Sequence, residues 1–182
     1  MVRRCLVPTA PAATIAENVI STNSLTKVFG LHTLKCGWLI ATPEIIGRLQ
    51  NHLIEGDIGI SKLSHAVSAH VLESPGAFDA HWKSILSASR PVVEHHAQNM
   101  IAAGLIEGLI PRFGCMYFPK MLGVHDTMGL ARILWERYEI LVAPGEYFGT
   151  AGYIRIGFGI ASAELDKGLL RLHDALREMR SG

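Results

Sequence analysis

The sequence predicts a mixed α/β protein: a first stretch with few strands, then a long helix, then a closing α+β unit. Three observations carry this prediction. Two short β-branched or apolar runs, Asn18–Asn23 and Gly37–Thr42, flank a lysine-bearing turn and read as strands. Between Ala77 and Ala103, Phe78, Trp82, Ile85, Leu86, Val92, Val93 and Met100 recur near helical spacing. From Gly114 onward the order is strand, helix, strand, strand, helix, which suits helices covering a small sheet.

Residues 1–16 are rich in Ala, Pro and Thr and carry no strong period. Asn18–Asn23 follows as a short strand, and Gly37–Thr42 is short enough for a buried one. Pro43 then opens a helix through Ile45, Ile46, Leu49 and Leu53, since proline is tolerated in a first helical turn. Gly56-Asp57-Ile58-Gly59 predicts a break. A further helix covers Ser61 to Leu72 and stops before Ser74-Pro75-Gly76. Pro91 is expected to kink the long helix, because it lacks the N–H that would close a helical bond. Gly114–Phe118 reads as a strand, and Thr127–Tyr138 as a helix with Asp126 or Thr127 at its N-cap. Glu139–Ala143 and Tyr153–Phe158 read as two more strands. The last helix begins near Ser162 and aligns Leu165, Leu169, Leu172, Leu176 and Met179 on one stripe.

Composition excludes several function classes. A hydrophobic fraction of 49% against 18% charged residues in 182 suits a packed core and not a disordered chain. A net charge of +1 gives no basic field for a phosphate backbone, so nucleic acid is not an expected partner. Cys5, Cys36 and Cys115 are scattered and odd in number, which argues for a reducing compartment. Among nine histidines, His95 and His96 are adjacent and His65 and His70 are five apart, so no metal site is expected. No apolar run reaches membrane-spanning length, and the basic opening Met1–Arg4 has no signal-length apolar stretch behind it. A cytoplasmic protein without a membrane partner is the expectation.

The segment Ser24-Leu25-Thr26-Lys27-Val28-Phe29-Gly30-Leu31-His32-Thr33-Leu34-Lys35-Cys36-Gly37-Trp38 holds the chemistry. A lysine lies in the turn between two strands, with a hydroxyl residue three before it and a second cation eight after it. An amine on an ordered turn can condense with an aldehyde, and a serine hydroxyl and a second cation can hold phosphate oxygens. A lysine in a loop is otherwise an ordinary solvated residue.

That run resembles the pyridoxal-phosphate attachment signature of class I and II aminotransferases, matching at Ser24, Thr26, Lys27, Gly30, Leu31 and Gly37. Two further segments resemble the family. Val142-Ala143-Pro144-Gly145-Glu146-Tyr147-Phe148-Gly149, followed by Gly152–Gly159, is similar to its Pro-Gly-x-x-Phe-Gly loop and the strand bearing a substrate-carboxylate arginine. Pro111–Pro119 is similar to a strand of its small domain. The resemblance implies the C-terminal portion of a fold-type I pyridoxal-phosphate transferase. Residues 1–75 would be part of the large cofactor-binding domain, 76–104 a linking helix, and 105–182 the small domain.

By position, the resemblance implies that Lys27 is the Schiff-base lysine and general base, and that Ser24 holds the cofactor phosphate. Lys35 stands where the family usually has an arginine on that phosphate; it keeps the charge and loses the planar fork. Arg155 would grip the α-carboxylate of an amino or 2-oxo acid; otherwise it is an exposed arginine on a strand edge. Glu146 and Tyr147 identify no side-chain specificity. The implied function is amino-group transfer with pyridoxal 5'-phosphate, in a homodimer. A lyase, decarboxylase or synthase of the same fold is an alternative, as is an inactive piece that only binds a partner.

The family's glycine-containing phosphate loop, ring-stacking aromatic residue, asparagine and aspartate–tyrosine pair have no match in Met1–Glu17, and no aspartate precedes Asp57. A truncated gene product is the favoured explanation, with completion by a second chain as the other.

Overall fold

The computed structural model describes residues 10–53 and 61–181. The chain divides into two units, residues 1–79 and 80–182.

In the first unit, β1 (Ser21–Ser24) and β2 (Gly37–Ile40) form an antiparallel pair, with Ser21 opposite Ile40 and Ser24 opposite Gly37. β1 starts later than the β-branched run suggests. A turn bond from Val19 N–H to the Ala16 carbonyl, 3.1 Å, occupies the preceding residues. Between the strands lie a one-turn helix α1 (Leu25–Val28) and a 3-10 turn at His32–Leu34. Leu25 is fully buried, and its N–H donates to the Cys36 carbonyl at 3.1 Å. With Phe29 and Val71 it makes a small core, ringed by half-buried Val28, Leu34, Trp38 and Phe78. Helices α2 (Pro43–Leu53) and α3 (Lys62–Glu73) follow; Ser61 caps α3, its hydroxyl accepting the Ser64 N–H at 3.4 Å. The break expected at Gly56–Gly59 lies outside the described residues.

Helix α4 (Gly76–Ala102) runs unbroken over 27 residues with Pro91 inside it. Its first turn belongs to the first unit and the rest to the second. The second unit then builds β3 (Ile106–Glu107), β4 (Met116–Tyr117), β5 (Lys120–Met121), α5 (Thr127–Tyr138), β6 (Ala143–Pro144), β7 (Ile154–Gly157) and α6 (Ser162–Ser181). An antiparallel sheet has the order β4-β7-β6, and β3 pairs separately with β5. The strand expected over Glu139–Ala143 shrinks to Ala143–Pro144. Glu139 takes a left-handed φ of 53° and ends α5 by donating its N–H to the Trp135 carbonyl, so the next residues serve the helix exit.

One face of β7, Ile154 and Ile156, is buried among Val93, Ala97 and Met100 of α4, Leu130 and Leu134 of α5, and the leucine stripe of α6. Arg155, on the same strand, is exposed. Strand alternation therefore sends Arg155 away from the core that its neighbours hold in place. Arg90 of α4 donates to the carbonyls of Pro111 (2.8 Å) and Gly114 (3.1 Å), which seats the segment leading into β4. Among the described residues no helix is long and apolar enough to cross a membrane.

The α6 stripe carries a stability prediction. Leu172 is 2% exposed and Leu170, two residues away, is 50% exposed. Leu172→Ala should lower the unfolding free energy by about 2–5 kcal/mol, whereas Leu170→Ala should change it by only about 0.5 kcal/mol. Urea unfolding followed by circular dichroism compares the two, and equal losses would contradict this packing.

Candidate active site

Three of the four residues marked by the sequence share one hairpin. Ser24 ends β1, and Lys27 lies in α1, a helical turn where the sequence suggested only a loop. Lys35 precedes β2 by two residues. The pairing of Ser24 with Gly37 brings both strand ends, and so all three residues, to the same end of the hairpin. Gly37 is required there. A Cβ on it would stand 2.9 Å from the Asn23 carbonyl oxygen and 3.4 Å from the Ser24 Cβ. Lys35 has a positive φ of 49°. For a residue with a side chain this conformation costs about 1–2 kcal/mol, and such strain gathers at functional sites.

Ser24 makes no side-chain capping bond to α1. Lys27 and Lys35 are exposed, and among the described residues neither ammonium has a hydrogen bond or ion pair. One hydroxyl and two amines without partners among the described residues, at one end of a hairpin, suit a small anion with a carbonyl on it. This donor set fits a phosphorylated aldehyde such as pyridoxal phosphate: hydroxyl and ammonium donors for the phosphate, a primary amine for the carbonyl.

Arg155 belongs to the second unit, on the central strand β7 and opposite Ala143 of β6. Its guanidinium carbon lies 4.4 Å from the centre of the Phe148 ring. Among the described residues none of its N–H groups has a hydrogen-bond or ion-pair partner. The side chain also borders an open groove with Leu141, Ile160 and Leu169.

The loop carrying Phe148 is built tightly. After β6 the chain makes a 3-10 turn over Gly145–Phe148. The Gly145 N–H donates to the Tyr153 carbonyl at 2.7 Å. A Cβ on Gly145 would meet the Thr150 oxygen at 2.0 Å and the Tyr153 oxygen at 2.8 Å, so only glycine fits. Glu146 ties the same turn to α5. Its carboxylate accepts the Thr127 N–H at 2.9 Å and the Thr127 hydroxyl at 2.5 Å, and Thr127 is fully buried. Asp126 caps that helix in the ordinary way, accepting the Gly129 N–H at 2.8 Å.

Comparison with known proteins identifies the family. The family model for aminotransferase class I and II matches residues 4–172. The chain belongs to that family. Capreomycidine synthase of Streptomyces vinaceus is 26% identical over 174 residues, covering 93% of this chain and 43% of that protein. An aspartate aminotransferase of Streptomyces avermitilis is 26% identical over 187 residues, covering 91% and 42%. A crystal structure of a pyridoxal-phosphate-dependent aminotransferase from Streptococcus suis superposes with a TM-score of 0.74 at 23% identity, over 87% of this chain and 42% of that one. The chain thus spans about two fifths of the length of the relatives it matches, with their fold.

Within this aminotransferase-family chain, two features had no sequence signal: the Glu146–Thr127 tie and the seating of Arg155 on Phe148. The first joins residues 19 positions apart. The second becomes visible only once the β6–β7 register is known.

The tie has a pH signature. The hydrogen bond from the Thr127 hydroxyl, chiefly, holds the Glu146 carboxyl below the ordinary glutamate value of 4.5. A carboxyl depressed on folding adds stability above its unfolded value and loses it as pH falls through the folded one. Glu146→Gln should therefore be less stable than the native chain at neutral pH, and the gap should close as pH drops below about 4.5. Unfolding midpoints measured across an acid series check this; a gap that stays constant would contradict it.

Proposed function

We propose that this chain is the C-terminal portion of an enzyme that transfers an amino group between an amino acid and a 2-oxo acid, using pyridoxal phosphate. Residues 1–75 would help hold the cofactor, 76–104 link, and 105–182 carry the substrate-carboxylate arginine. The observation that supports this best is the hairpin, which carries Ser24, Lys27 and Lys35 at one end with no partners for their side-chain donors among the described residues.

In this reading Ser24 and Lys35 bind the cofactor phosphate, the hydroxyl as a neutral donor and the ammonium as a point charge. A lysine at 35 cannot offer a planar bidentate fork, so the phosphate is held by charge more than by fixed direction. Lys27 Nζ is the primary amine that would hold the cofactor's aldehyde. When bound, the cofactor supplies an electron sink for the pair of electrons left at the substrate Cα. As a free amine, Lys27 Nζ would be the base that takes the proton from the substrate Cα. Arg155 would bind the α-carboxylate of the acid through its in-plane N–H groups. A homodimer in the cytoplasm is part of the same proposal.

A second reading keeps the cofactor and changes the reaction. The relative named capreomycidine synthase matches over nearly the whole chain, so a synthase reaction using Lys27 and Arg155 is its competitor.

Reductive trapping tests the lysine assignment. Incubation with pyridoxal phosphate followed by borohydride should place the label on Lys27, and Lys27→Ala should lose it, as read by peptide mass mapping. Label spread evenly over exposed Lys62, Lys83 and Lys167, and unaltered by the substitution, would remove the proposal's support.

A further inference from the structure

Arg155 rests on an aromatic stack that the core does not need. Phe148 lies 4.4 Å beneath its guanidinium. Phe118 meets Phe148 edge-on, with ring centres 5.7 Å apart and planes at 86°. Tyr153 in turn stacks on Phe118 at 5.2 Å and 23°. Phe148 is 42% exposed and Phe118 is 36% exposed, so both rings keep much of their surface in water. Aromatic rings at this exposure gain only part of what full burial would give them, and their order calls for a further reason.

We propose that Phe148, braced by Phe118 and Tyr153, is a positioning residue that presents the Arg155 guanidinium edge-first to a carboxylate. This inference rests on the reading of Arg155 as the carboxylate anchor, and adds what sets its direction.

The physical reason is the shape of the guanidinium. All five of its N–H bonds lie in the plane, and its faces donate nothing. A ring against one face satisfies the cation through its π-cloud and leaves every donor open. A carboxylate at the same arginine would use two parallel N–H bonds along an edge. The two contacts are compatible, and the ring removes rotations that would otherwise be lost on binding. An acidic partner in place of Phe148 would instead occupy the fork that the substrate needs.

The loop is built to hold that ring still. Gly145 is locked against Tyr153 and Thr150, and Glu146 is tied to Thr127, so the turn ending at Phe148 is fixed at both its first two residues. Tyr153 serves twice, its carbonyl accepting from Gly145 and its ring bracing Phe118. Phe118 follows β4 directly, and β4 pairs with β7. Each of the three aromatic residues is thus fixed by a backbone element that is itself bonded to the strand carrying Arg155.

Nuclear magnetic resonance of the 182-residue chain with labelled arginine tests the inference, using sodium pyruvate as a simple 2-oxo acid. In the native chain the Arg155 Hε signal should lie upfield, under the ring current of Phe148, and should move on titration with pyruvate. Phe148→Leu should shift that signal downfield and weaken pyruvate binding about threefold to tenfold. Phe148→Tyr, which keeps the ring, should restore both. Arg155→Lys should abolish the pyruvate response of the site while leaving the spectrum dispersed. If Phe148→Leu binds pyruvate as the native chain does while Arg155→Lys does not, the positioning role is overturned and the anchor survives. If Arg155→Lys binds pyruvate unchanged, or the native chain shows no response, the anchor fails and this inference falls with it.

Discussion

The second unit depends on one close approach of backbone to backbone. At Gly145 the chain passes so near the carbonyls of Thr150 and Tyr153 that no side chain can be accommodated. That approach closes the loop between β6 and β7 in a few residues, with Gly149 at a left-handed φ of 72° completing the turn. Because the loop is short, the residues at its far end have little choice of position. Phe148 comes to lie beside β7, under Arg155. The Glu146–Thr127 tie fastens this loop to the N-terminus of α5, so a helix in the core and a loop at the surface share one buried hydroxyl. Packing of α4, α5 and α6 on the inner face of the sheet then gives the surface loop a rigid base.

The first unit solves a similar problem with less material. Its core is small, with Leu25, Phe29 and Val71 at its centre. Leu25 is the hinge between structure and chemistry: its side chain is fully buried while its neighbours Ser24, Thr26 and Lys27 reach outward or lie half-covered. Gly37 plays the part of Gly145 here, letting the strand ends meet at Ser24. In both units a glycine without room for a Cβ sets the position of a polar group proposed to touch the ligand.

How much could be read from the residues differs by element. Helices were legible because burial repeats over many turns: α6 buries the leucines that the period marks, and α4 continues as helix past Pro91. Strands were read too long, since apolar character continues past the residues that find partners. Leu141 is apolar yet 82% exposed and lies outside β6. At the site, the lysine, the serine and the arginine were marked by family resemblance, and their neighbourhood was not. Glu146 reads as an unremarkable acid until Thr127 is brought beside it. The stack under Arg155 needs the register of three strands, which no local pattern specifies. Sequence pattern encodes what repeats locally; contacts between loops depend on the closed fold.

The claim at the centre of this account is that one hairpin end collects the groups for a phosphorylated aldehyde. A crystal structure of the chain soaked in pyridoxal phosphate tests it most directly. The account predicts density continuous with Lys27 Nζ, and a phosphate contacted by the Ser24 hydroxyl and the Lys35 ammonium. A cofactor attached at another lysine, or a phosphate bound away from Ser24 and Lys35, would contradict it.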